Sequence, residues 1–272
     1  MKLNKMISAS LLGASLVALA GSAHAATSWS FGGSGASIVS AYSVANISSG
    51  ATRNNISSTS TFASATLGQW GSNLGAGGEG TVPQHAVDNA SRTEALLVNL
   101  GGSYALTEFT LGYAYNRTNT SGGGNVLINH GDGTSAYYAN GADVSVFAYT
   151  GGGAPVIAGK TYNQLLTDGW QLIGNYGNAQ VGTTAVSTSV SSSYWLVAAY
   201  NSVFGGTCSG CSSATGQSSY KGTDYFKLSG VAGSQPGGGG GGSAPEPSTM
   251  ALLGISMLGA VALRRRQNPA AV

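Results

Sequence analysis

Residues 26–233 predict an all-β domain, most simply a sandwich of the jelly-roll type, on three observations. Apolar residues recur with period two or in short runs, and Gly-rich turns separate those runs. No long stretch of the body spaces its apolar residues as a helix does. With 44 glycines and many β-branched residues, a helix would be penalised throughout. A body of about 210 residues is ample for one hydrophobic core and suits a single sandwich or barrel.

The elements follow in chain order. The start, MKLNKMISASLLGASLVALAGSAHAATSW, places Lys2 and Lys5 before an apolar stretch from Ile7 to Ala20 that has no polar face. Ala23-His24-Ala25 then forms a small-x-small cleavage site. This is the pattern of a secretory signal peptide, a helix over residues 1–25 that engages the Sec translocon and is removed by signal peptidase after Ala25.

In the body, ALLVNLGG (95–102) reads as a strand, and EFTLGYAYN puts Phe109, Leu111, Tyr113 and Tyr115 on one face of another. ADVSVFAYTGGG alternates Val144, Val146 and Ala148 with Ser145, Phe147 and Tyr149, then stops at three glycines. GWQLIGNYG, SSYWLVAAYNSVFGG and DYFKLSGVAG read likewise as strands bounded by turn residues. There is no internal repeat.

After Val231 the pattern dissolves into SQPGGGGGGSAPEPS. Six consecutive glycines make residues 234–244 a flexible tether, and no phosphate-binding helix with Lys and Ser/Thr follows them. The segment 245–267 then combines Pro245-Glu246-Pro247-Ser248, an apolar stretch over 250–263 and Arg264-Arg265-Arg266. Fourteen apolar residues span about 21 Å as a helix, against a hydrocarbon core of about 30 Å, which predicts a short transmembrane helix and a weak, transient anchor. The three arginines fix that end of the tail on the cytoplasmic side of the membrane.

Charge belongs largely to these ends. The whole chain carries +2, yet residues 26–243 hold six basic against eight acidic side chains, a net of −2. No basic run in the body offers a nucleic-acid face.

The tail resembles the PEP-CTERM sorting signal that exosortases process in Gram-negative, biofilm-forming bacteria. The body, in LGQWGSNLG (67–75), QHAVDN (84–89), GADVSVFAY (141–149), SYWLVAAYNSVFG (193–205) and DYFKLSGV (224–231), resembles the exosortase-dependent surface protein family. Gln84 stands where that family's pattern has Asn. The resemblance implies that exosortase, a membrane-embedded cysteine enzyme, cuts near Pro-Glu-Pro and passes the body to the cell surface or the extracellular space. It implies no known reaction.

Chemistry in the body is sparse. There is no G-x-S-x-G elbow and no H-E-x-x-H. His85 and Asp88 in HAVDN are a candidate binding or metal pair, against the simpler reading that Asp88 and Asn89 tie down a loop. In INHGDGTS, Asn129 and Asp132 are the oxygen donors a Ca²⁺ site uses, although a hairpin turn at Asp132-Gly133 explains them as well. Glu94 and Glu108 are the carboxylates a glycosidase would pair, but Glu94 reads better on a solvated face beside Arg92. Trp29, Trp70, Trp170 and Trp195 form either core or a sugar-stacking platform, and core is the simpler expectation. Cys208 and Cys211 in GTCSGC, exported to an oxidising compartment, are expected to close a small structural disulfide.

Five N-x-S/T sites, at Asn46, Asn55, Asn89, Asn116 and Asn119, lie in a chain rich enough in such residues for chance matches. They are still the candidate points for attached glycan, above all within 46–66.

The expectation is a non-catalytic protein of the surface or matrix, associated with extracellular polysaccharide. The alternative is a carbohydrate-binding module, Ca²⁺-stabilised if Asn129 and Asp132 serve. An exposed aromatic strip on one sheet face favours the module, and a fully polar exterior favours simple display.

Overall fold

A computed structural model describes residues 26–46, 56–77, 85–90, 92–118, 121–129, 135–211 and 223–236. They fall within one compact unit, Ala25–Gly238. The signal stretch 1–25, the segment 245–267 and Asp132 lie outside them.

The fold is all-β. The strands are β1 (Thr27–Ser30), β2 (Val39–Ala45), β3 (Phe62–Trp70), β4 (Asn73–Gly77), β5 (Val87–Asp88), β6 (Arg92–Thr118), β7 (Val126–Asn129), β8 (Ser135–Asn140), β9 (Ala142–Tyr149), β10 (Trp170–Ala179), β11 (Gly182–Ala185), β12 (Ser191–Ala199) and β13 (Asp224–Ser234). They form one continuous hydrogen-bonded network, with antiparallel pairing throughout.

Its spine is β6, which spans 27 residues and changes partners along its length. The first half pairs with β2 and β12, and the second with β13, β11 and β8. Between them lies Gly101, whose φ of +69° lies in the left-handed region that glycine enters freely. The register with β12 jumps there, from Asn99 opposite Tyr194 to Tyr104 opposite Ser192.

The main core draws on both halves of that spine. Leu96 and Val98 from the first half share one cluster with Phe109 and Leu111 from the second, joined by Val144, Val146, Trp195 and Leu228. Trp195 is fully buried, and its indole nitrogen donates to the Ser192 carbonyl at 3.0 Å. Ala95, Leu97, Phe147 and Leu196 point to the opposite face and meet Ile157, Tyr162, Leu165, Trp170 and Phe204. Both faces of this layer are thus covered, which accounts for the unbroken apolar run ALLV.

Part of that cover is a helix too short to show as periodicity, α1 (Tyr162–Thr167). Its signal is a capping box. Gln164 donates its backbone N–H to the Thr161 hydroxyl at 3.3 Å, and the Thr161 N–H donates to the Gln164 side chain at 2.8 Å. Lys160 and Asp168 pair at 2.8 Å beside it. The Tyr162 hydroxyl donates to the Phe204 carbonyl at 2.8 Å, and burial pushes its pKa up to about 12. Among the described residues no helix is long and apolar enough to cross a membrane, and the apolar segment 250–263 lies outside them.

One strand departs from simple alternation. Phe109 and Leu111 enter the core, but Tyr113 and Tyr115 do not continue that face and Ala114 is buried in their place. The cause is a bulge. Leu111 pairs with Leu228 and Tyr113 with Lys227, so Gly112 has no partner and the side-chain period shifts by one. A Cβ at Gly112 would collide with the side chain of Asn73, which lies over it. Gly112→Val is therefore expected to lower stability by about 1–3 kcal/mol, read as a lower midpoint of urea unfolding. An unchanged midpoint would show that Asn73 is not held there.

Cys208 and Cys211 are joined, with Cα atoms 5.5 Å apart. Their loop is docked on β10, where Asn178 donates to the Gly210 carbonyl at 3.0 Å. Gly177 leaves no room for a side chain beneath the loop. So short a ring constrains little of the unfolded chain.

Candidate functional site

The outward face around β3, β6 and β13 carries the most distinctive surface chemistry of the domain. The β3–β4 hairpin turns through Gly71 (φ +61°) and Ser72, with Trp70 opposite Asn73 across the turn. Trp70 is 71% exposed. Beside it lies Lys227, whose ammonium sits 5.8 Å from the centre of the Trp70 ring and 5.5 Å from that of Tyr113. The Tyr115 ring centre lies 4.7 Å from that of Tyr113, and both rings pack against a small buried cluster of Ala86, Ala136, Tyr138 and Tyr225. The Gly112 bulge makes this possible, because strict alternation would have turned Tyr113 into the core.

Lys227 makes no ion pair among the described residues. Burial by the flanking rings lowers its pKa below that of an ordinary lysine. Burial, with Tyr138 and Tyr115 nearby, raises that of the Tyr113 phenol. The two ring faces stabilise the cation by about 0.5–2 kcal/mol depending on desolvation.

An open groove of about 290 Å³ adjoins this strip. The hydroxyl residues Ser28, Ser30, Ser72 and Ser229 line it, with Trp29 and Glu108 among its walls. Ser229 is two residues from Lys227 on β13, and Ser72 is two residues from Trp70 in the hairpin, so groove and strip are contiguous. Trp29 is braced edge-on by Tyr104 at 4.8 Å, and Ser229 donates to the Thr110 carbonyl at 3.1 Å. The four tryptophans therefore divide. Trp170 and Trp195 are core, Trp29 is half-buried, and Trp70 is exposed.

A second polar feature is internal. Asp224 is fully buried at the start of β13. Its Oδ1 accepts from Asn116 Nδ2 and from the Asp143 N–H, both at 2.8 Å, and its Oδ2 accepts from Asn89 Nδ2 at 3.0 Å. Asn89 in turn accepts from the Asp224 N–H at 2.9 Å and donates to the Tyr200 carbonyl at 2.8 Å. Asp143 Oδ1 accepts from the N–H of Asn178, a residue at φ +53°. Burial first, and the neighbouring Asp143 second, raise the Asp224 pKa well above the usual carboxylate range. This network pins β6, β9, β10 and β13 together with the loops after β5 and β12.

The sequence-derived candidates fall around it. Asp88 is buried, with its Oδ1 accepting from the Ala90 N–H at 2.9 Å, the short-range tie expected of a loop aspartate. His85 is half-buried at φ +58°, set over Gly68, Gly75 and Gly77, and its Nδ1 has no hydrogen-bond partner among the described residues. Asn129 ends β7. Among the described residues no three of His, Cys, Asp and Glu gather as a metal cluster.

Glu94 is not on a solvated face. It is buried and accepts from the Asp88 N–H at 3.2 Å, because β6 here is covered on both sides. Glu108, fourteen residues further along the same strand, lines the open groove instead. Of the glycosylation candidates, Asn89 is buried in the Asp224 network, Asn116 donates to Asp224, and Asn46 donates to the Asn89 carbonyl at 3.0 Å and accepts from Thr93. Asn55 and Asn119 lie outside the described residues.

No curated protein and no solved structure matches this chain. Residues 243–266 match the model of the PEP-CTERM protein-sorting motif, which covers Pro245-Glu246-Pro247-Ser248, the apolar stretch and all three arginines. The chain therefore carries a PEP-CTERM sorting signal, the mark of exosortase-dependent sorting to the cell surface.

Proposed function

We propose that this is a non-catalytic protein of the cell surface or extracellular matrix, exported through the Sec translocon and trimmed by signal peptidase. It is held briefly in the inner membrane by residues 250–263, and exosortase then releases it to reside among the exopolysaccharide of a biofilm. The observation that carries the reading is the PEP-CTERM motif at residues 243–266, in a chain that begins with a signal-peptide pattern. Mass spectrometry of both termini of the extracellular protein, from hosts with and without exosortase, tests it. The expected product begins at Ala26 and ends near Pro247 only in the exosortase host. A secreted product that still contains Arg264–Arg266 overturns the reading.

A second reading, a carbohydrate-binding module, is favoured by a specific observation. The exterior is not uniformly polar, since Trp70 stands exposed beside a hydroxyl-lined groove walled by Trp29. Calcium stabilisation through Asn129 and Asp132 belongs to this reading, and its test is a higher thermal midpoint in Ca²⁺ than in chelator.

A further inference from the structure

We propose that the Trp70–Lys227–Tyr113 strip and the groove beside it form a binding site for an acidic polysaccharide, one whose pyranose rings carry carboxylates. The proposal rests on the carbohydrate-binding reading and gives it a site and a ligand class. Trp70 presents a flat apolar face to water from a two-residue turn, and the C–H face of a pyranose ring covers such a surface without leaving its hydroxyls unsolvated.

The charge of the ligand follows from Lys227. Its ammonium is partly desolvated between two rings and has no carboxylate partner among the described residues. A carboxylate on the sugar stacked at Trp70 supplies that partner, in surroundings of lower dielectric than water where the pairing is strengthened. Ser72 and Ser229 then meet the hydroxyls of neighbouring sugar units.

Glu108 repels carboxylates at its own end of the groove but stands too far from Lys227 to neutralise it. Lys227 is opposite Tyr113 and Ala232 opposite Glu108, so the two charges stand five residues apart along β6, about 16 Å at roughly 3.3 Å per residue. That exceeds the screening length of about 8 Å at physiological ionic strength.

The test uses the mature secreted protein with sodium alginate as the acidic probe, carboxyl-reduced alginate as its neutral counterpart, and a neutral β-glucan, read by isothermal titration calorimetry and affinity electrophoresis. Alginate is expected to bind with salt-sensitive affinity, and the carboxyl-reduced polymer at least tenfold more weakly. Trp70→Ala and Lys227→Met should each lose at least tenfold, while Trp70→Phe and Lys227→Arg retain most of the affinity, all with unchanged circular dichroism. Alginate binding that is unaffected in both loss variants places the glycan elsewhere and overturns this site, while the carbohydrate-binding reading stands. Equal binding of the carboxyl-reduced polymer, or binding of the β-glucan alone, overturns the acidic assignment. No binding to any of the three, nor to purified host exopolysaccharide, removes the carbohydrate-binding reading and this site with it.

Discussion

Asp224→Ala is expected to lower the stability of the domain by about 3–5 kcal/mol, the largest effect of any single substitution considered. The change leaves Asn116, Asn89 and the Asp143 N–H without their acceptor in a site that water does not reach. Each orphaned buried donor costs about 1–3 kcal/mol, offset in part by local relaxation. Asp224→Asn keeps the shape and one acceptor oxygen but turns an N–H₂ towards Asn89, so its cost is smaller.

Both substitutions also remove a pH dependence that the wild type carries. The Asp224 pKa is raised in the folded state, by burial and then by Asp143, above the value of about 3.9 expected when unfolded. The folded form thus holds the proton more tightly than the unfolded chain. The stability this group contributes is greatest below the unfolded pKa and is lost as pH rises from there through the folded pKa, with a slope of at most about 1.4 kcal/mol per pH unit. Urea unfolding of wild type and Asp224→Asn over a pH series measures the difference. It should grow in favour of the variant as pH rises through that window, and parallel profiles would show that Asp224 does not titrate as the buried site requires.

The second large effect concerns delivery. Replacing Arg264, Arg265 and Arg266 together by glutamine is expected to reduce exosortase-trimmed protein at least tenfold, with untrimmed chain accumulating in the cell. On the proposed reading of residues 250–263 as a short transmembrane helix, its length of about 21 Å would fall short of a hydrocarbon core of about 30 Å, and the arginines would supply both orientation and reach. Cell fractionation and immunoblotting against the body read the outcome. Normal surface levels of the variant would show that the arginines do not set the topology of the tail.

Sequence alone determined what is local. The tail motif, the signal pattern and the Cys208–Cys211 clip are each contained in a few dozen residues or fewer. The strand 142–149 declares itself by alternation between Gly141 and the glycines after Thr150, and 191–199 by a short apolar run. Even α1 left a local mark, the Thr161–Gln164 capping box, although six residues are too few for helical periodicity.

Tertiary structure decided everything that depends on which strand lies beside which. Glu94 looks solvated in its own neighbourhood and is buried because β6 is covered on both faces. Asn89 reads as a glycosylation site and instead joins Asp224, 135 positions away. Tyr113 alternates with the core residues Phe109 and Leu111, yet turns to the opposite face, against Tyr138 and Tyr225, because Gly112 has no partner on β13. Trp195 and Trp70 are the same residue type in similar strand contexts, one enclosed between two layers and the other at the tip of a hairpin. The physical reason is common to all four. Side-chain period and polarity are properties of one segment, whereas burial, charge environment and outward display are properties of register and layer packing, which arise only when distant segments meet.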